Sequence, residues 1–156
     1  MFLPALALAI HLLLAVAWVG GMFFAYQVLR PVAAAQLEPP QRLPLWRGCF
    51  RRFFPWVWAA VVGLPLSGYL LVFGLYGGFG SLGWHVHLMQ VTGWLMIVLF
   101  LVLHFGPWKA LCRALDDGDL PAAGAALNRV RRIVGSNLLL GLVTVAAAAG
   151  GRLMPL

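Results

Sequence analysis

The string His85-Val86-His87-Leu88-Met89 places two imidazoles and a thioether within five residues. Imidazole is a borderline donor and thioether a soft one, and together they suit copper, Cu(I) above all. A third imidazole, His11, stands near the start of the chain. At helical spacing His85, Met89, Thr92 and Met96 share one face, and His11, Trp18 and Met22 share another. If these faces meet, His11, His85, His87 and Met89 form a metal site. All lie in or beside long apolar stretches. An ionisable side chain there is costly, which makes it a functional candidate. Met22 and Met96 are expected to serve packing. The histidines also admit a second chemistry: His11 with His85 or His87 could give the axial imidazoles of a haem b between facing helices.

The elements that must position these residues are membrane spans. The chain has 156 residues, 63% of them hydrophobic and 10% charged. A soluble domain would carry about 25% charge. Residues 1–29, 53–108 and 133–151 contain no Asp, Glu, Lys or Arg. A helix needs about 20 apolar residues to cross a bilayer. The first and third stretches hold one span each. The middle one holds two, because Gly77, Gly78, Gly80, Ser81 and Gly83 interrupt it. The expected fold is all-α: a four-helix transmembrane bundle, one integral membrane domain over 1–156, with spans at about 5–29, 54–76, 84–107 and 133–151. No charge precedes Arg30, so the first stretch reads as a span rather than a cleaved signal peptide.

Ten of the eleven Lys and Arg residues fall within 30–52 and 109–132, and only Arg152 lies elsewhere. The positive-inside rule puts both basic loops in the cytoplasm and the uncharged glycine loop outside with both termini. It also accounts for the net charge of +7 without nucleic acid. Counting about 20 residues outward from each inner end brings His11, His85 and His87 to the outer boundary. His104, four residues before Phe105-Gly106-Pro107-Trp108 ends, lies near the inner face. It cannot share their site, and a hydrogen bond to Ser136 or Asn137 is expected. No span holds Asp or Glu, which disfavours a hard cation or a carboxylate proton relay.

Glu38-Pro39-Pro40 and Pro44 are expected to forbid a long regular helix in the first basic loop. Trp46, Phe50, Phe53 and Phe54 interleave with Arg47, Arg51 and Arg52, as in an interfacial segment with rings at headgroup level. Pro65 should kink the second span, with Ser67 satisfying freed carbonyls. Gly20, Gly21, Gly63, Gly68, Gly93, Gly135 and Gly141 should let helices pack closely. In the second loop Asp119 should cap a helix starting near Leu120, leaving no cation site among Asp116, Asp117 and Asp119. Cys49 and Cys112 lack metal-motif spacing and read as free thiols.

His11-Leu12, Trp18, Gly20-Gly21, Phe23 and Arg30-Pro31 together resemble the first helix of the copper-resistance D (CopD) family. Trp84-His85-Val86-His87-Leu88-Met89 and Asn137-Leu138 extend that resemblance over most of the chain. It implies copper uptake or homeostasis, with a small periplasmic copper-binding protein as partner. The chain is also similar to the HemJ-type protoporphyrinogen oxidases, through His11, the Trp-x-Gly step and the Gly83-Trp84 start of helix three with its histidines. That family has a lysine where Met89 stands. The resemblance implies a haem-dependent oxidoreductase as the alternative to a non-enzymatic copper protein. The reading favoured is an integral protein of the bacterial inner membrane that binds copper through His11, His85, His87 and Met89. Haem b is the alternative cofactor. Four spans are few for a monomeric pathway, which points to a homo-oligomer.

Overall fold

A computed structural model describes residues 2–151 of the chain; Arg152 lies outside the described residues. Four long helices dominate it: α1 Phe2–Gln36, α2 Pro39–Leu75, α3 Trp84–Asp116 and α4 Leu120–Gly150. They contain 35, 37, 33 and 31 residues, and each is apolar and long enough to cross a membrane. At 1.5 Å per residue, every one is longer than a bilayer needs. The described residues form no strand.

The connections are short and local in cause. Between α2 and α3 the chain turns through Gly77 and Gly78, at φ +68° and +123°. Side chains with a Cβ rarely adopt those angles. A short 3₁₀ turn, Phe79–Ser81, then leads into α3. Asp119 caps α4 as expected: its carboxylate accepts from the Ala122 N–H at 2.9 Å. Asp116 instead pairs with Arg47 at 2.7 Å, tying the α2 and α3 ends together.

Helix α1 packs chiefly on α2, and α3 on α4. Pro4 of α1 approaches Gly74, and His85 approaches Gly151. The glycine turn and both ends of the described chain therefore share one end of the bundle. The two basic connections share the other.

The prolines near 39–44 do not break the helix, contrary to the sequence expectation. Glu38 is the N-cap of α2, and Pro39 and Pro40 occupy its first turn. Those positions have no intrahelical N–H bond to lose. Only Pro44, Pro55 and Pro65 remove one from the interior. In the 45–54 segment the rings of Trp46, Phe50 and Phe54 point into the bundle. Trp46, Phe50 and Phe54 are buried at 2%, 3% and 5% exposure. The reason is the continuous helix: residues 46, 50 and 54 line up at i, i+4, i+8 and turn inward together. Ser67 bonds the Gly63 and Leu64 carbonyls, not the Val61 carbonyl that Pro65 leaves free.

The tightest packing lies at the basic end. Trp46, Leu111, Leu127 and Val130 are almost fully buried there. Phe54 stacks on Phe50 and meets Phe100 and Trp108 edge-on, at 5.3, 5.5 and 5.0 Å between centroids. Helices α1 and α3 each widen into a π-helical turn near this end, Phe24–Leu29 and His104–Trp108. A proline accompanies each: Pro31 follows the first and Pro107 lies in the second. A ring with no N–H displaces the ordinary i→i−4 bond, and the wider turn accommodates it.

Candidate functional site

His11 is half-buried against α2. Its Nδ1 lies 2.9 Å from Ser67 Oγ, and its ring rests on the Cα of Gly68, where a Cβ would touch it. The hydroxyl proton of Ser67 is directed to the Gly63 carbonyl. Nδ1–H of His11 is therefore the donor to Ser67 Oγ, and Nε2 carries the free lone pair. An imidazole fixed through one nitrogen presents the other as a defined donor, the arrangement used by metal-binding histidines.

His85 occupies the first turn of α3. Its ring packs against the backbones of Gly83 and Gly151, with Trp84 edge-on at 6.1 Å. Its Nδ1 is buried with no hydrogen-bond partner among the described residues. Such an orphaned nitrogen suits a bound ion, since a buried polar atom without a partner is costly. Met89 is half-buried one turn further on. His87 is exposed, because positions two apart on a helix point roughly opposite ways.

The His85 face continues through Thr92 and Met96, buried at 6% and 4% exposure. This face meets α4. Thr144 Oγ1 bonds Thr92 Oγ1 at 2.7 Å, and Met96 reaches Gly141. Val19 of α1 reaches the same glycine. Eight residues along each helix from that shared level lead to His11 and to Leu88. With a common rise per residue, His11 is thus level with Leu88 and Met89, and His85 lies about 5–6 Å nearer the glycine turn. Among the described residues, no three His, Cys, Asp or Glu side chains stand close enough to hold a metal ion. His11, His85 and His87 therefore share one end of the bundle without forming a closed three-histidine shell.

His104 sits apart, in a cage of Phe54, Trp58, Phe100 and Phe105 with centroids 5.2–5.6 Å away. The expected bond to Ser136 or Asn137 is not made. Asn137 Nδ2 instead donates to the Met96 carbonyl at 3.2 Å, which puts it about 12 Å along the bundle from His104. His104 Nδ1 is unpartnered among the described residues.

Sequence reasoning missed the Ser67 clamp on His11 and the Thr92–Thr144 link. Ser67 and Gly68, adjacent within a span, were the available signal. The anticipated close packing holds at Gly21, Gly63, Gly68, Gly135 and Gly141, whereas Gly20 and Gly93 face open space. Cys49 and Cys112 are free, and burial pushes both thiols above their ordinary value.

Four helices long and apolar enough to span a membrane, with ionisable side chains set among apolar ones at one end, define a multi-pass membrane protein. A family model described as copper resistance protein D matches residues 47–150. The chain belongs to that family. Helix α1, with His11, precedes the matched residues. No curated protein and no solved structure matches the chain.

Proposed function

We propose that this protein binds copper at the glycine-turn end of the bundle, in copper uptake or homeostasis, through His11, His85 and Met89. His87, on the outer rim, is the first contact for an arriving ion. The observation that carries this reading is the His11–Ser67 bond, which leaves Nε2 as a directed donor. Met89 at the same level adds a soft sulfur, and His85 adds a buried nitrogen without a partner. No span supplies a carboxylate, so the donor set fits Cu(I) rather than a hard cation. Membership of the copper resistance protein D family supports the same metal.

The test is a competitive Cu(I) titration of the purified protein beside its absorbance spectrum. Met89→Ala should weaken Cu(I) binding by about tenfold or more, since a lost donor leaves the coordination shell incomplete. Met89→Lys should abolish it, because an ammonium offers no lone pair. Unchanged affinity in both, with a Soret band in the parent, would replace copper by a haem held between imidazoles.

In this reading the protein lies in the bacterial inner membrane with its basic end in the cytoplasm, following the Lys/Arg asymmetry. A periplasmic copper-binding protein delivers or receives the ion, and copies of the chain assemble together. In a background without Cys49 and Cys112, Gly80→Cys should react with an impermeant maleimide in intact cells. Asp117→Cys should react only after permeabilisation. The reverse pattern would invert the orientation.

A further inference from the structure

Arg30 and Arg131 line one crevice at the basic end, and Arg42 stands near enough for its charge to act on Arg131. Arg30 ends the π-helical turn of α1, Arg42 lies in the first turns of α2, and Arg131 lies midway along α4. Arg131 rests over the Trp46 ring at 5.4 Å, and Arg30 over Tyr26 at 4.8 Å. Tyr26, Arg30, Trp46 and Arg131 line one crevice, and Tyr26 and Arg30 also line the adjoining groove along α1 that includes Gln27 and Pro31.

This cluster has no counter-charge among the described residues. The one salt bridge among the described residues joins Arg47 to Asp116. Arg42 Nε, Arg131 Nε and Nη2, and Trp46 Nε1 are buried donors without a partner there. Arg131 donates to Asn128 Oδ1 at a long 3.5 Å. Burial, then the Arg30 and Arg42 charges, push the Arg131 guanidinium below its ordinary value. Like charges brought together and partly desolvated are unfavourable unless something negative joins them. All the unfilled positions are donors, so the missing partner is an acceptor with several oxygens. Guanidinium forks match a phosphate in a bidentate way.

We propose that Arg30, Arg42, Arg131 and the Trp46 indole N–H form a binding site for a phosphate group between α1, α2 and α4. The site is separate from the copper reading and stands whether or not that reading holds. Two sources share this chemistry: the headgroup of an anionic phospholipid, entering along the α1 groove from the inner leaflet, and a soluble phosphate.

The test uses the full chain purified in a phosphate-free neutral detergent. Native mass spectrometry follows retention of added phosphatidylglycerol against phosphatidylcholine, and calorimetry follows inorganic phosphate. Saturable retention of phosphatidylglycerol alone supports the lipid source, and saturable phosphate binding supports the soluble one. In either case Arg30→Gln and Arg131→Gln should each weaken binding by about tenfold or more, as expected for a lost charge-assisted bond. Trp46→Phe, which keeps the ring and removes the N–H, should weaken it less. Arg129→Gln, an exposed arginine on α4, should leave it unchanged. If Arg131→Gln fails to fold, Arg30→Gln and Arg131→Lys carry the test. Binding of neither probe, or equal loss in Arg129→Gln, overturns the proposal.

Discussion

Replacing His11 with alanine should remove most of the copper that the purified protein retains, while leaving the fold intact. The imidazole is half-buried and bonded to Ser67 at the edge of α2, so its loss opens little space. Its Nε2 is the one nitrogen of the proposed site whose direction is fixed by a second bond. Loss of that donor should lower Cu(I) affinity by about a hundredfold, the upper end of what removing the support of a metal-ligating group costs. Ser67→Ala should have a smaller effect of the same sign, because the ring stays but is free to turn. His104→Ala should not change copper content, since an aromatic cage separates His104 from the other histidines. Metal analysis of the three variants after dialysis decides the matter. Equal loss in the His104 variant would show that copper retention reports folding rather than ligation.

Phe54→Ala should be among the most destabilising single changes in the molecule, at about 3–5 kcal/mol. Phe54 is 5% exposed and touches Phe50, Phe100, His104 and Trp108. Its removal leaves a void where α2 meets α3, far from the glycine turn. Thermal unfolding in detergent should show a lowered midpoint. Copper binding measured well below that midpoint should be unchanged. A wild-type midpoint would mean that the aromatic cluster closes over the void.

The spans were legible because the bilayer imposes a simple requirement. About 20 residues without charge must follow one another, and the interruption at Gly77, Gly78, Gly80 and Gly83 is equally plain. The Asp119 cap was legible because capping depends on a few adjacent residues. Pro39, Pro40 and Pro44 misled because the effect of a proline depends on where the helix begins. Glu38 settles that, and nothing in the composition marks it. The inward turn of Trp46, Phe50 and Phe54 was not legible, because aromatic residues mixed with arginines look alike at a membrane surface and on a helix packed within a bundle. The site was legible in its donors and not in its support. His11 and Ser67 are 56 residues apart, and so are found together only once α1 and α2 are aligned. The arginine crevice is similar, since proximity of Arg30, Arg42 and Arg131 follows from tertiary packing and not from any spacing along the chain.

The unequal packing of the two ends has a mechanical consequence. Trp46, Leu111, Leu127 and Val130 knot α2, α3 and α4 together at the basic end. Toward the glycine turn, large apolar side chains such as Leu12, Leu13, Leu70 and Val145 face outward. The helices thus resemble the arms of tongs held at the handle. A small rotation of the α1–α2 pair against the α3–α4 pair moves the tips most and disturbs the buried contacts of the handle least. Opening and closing at the tips would change the distance from His11 to Met89 while the rest of the protein stays folded.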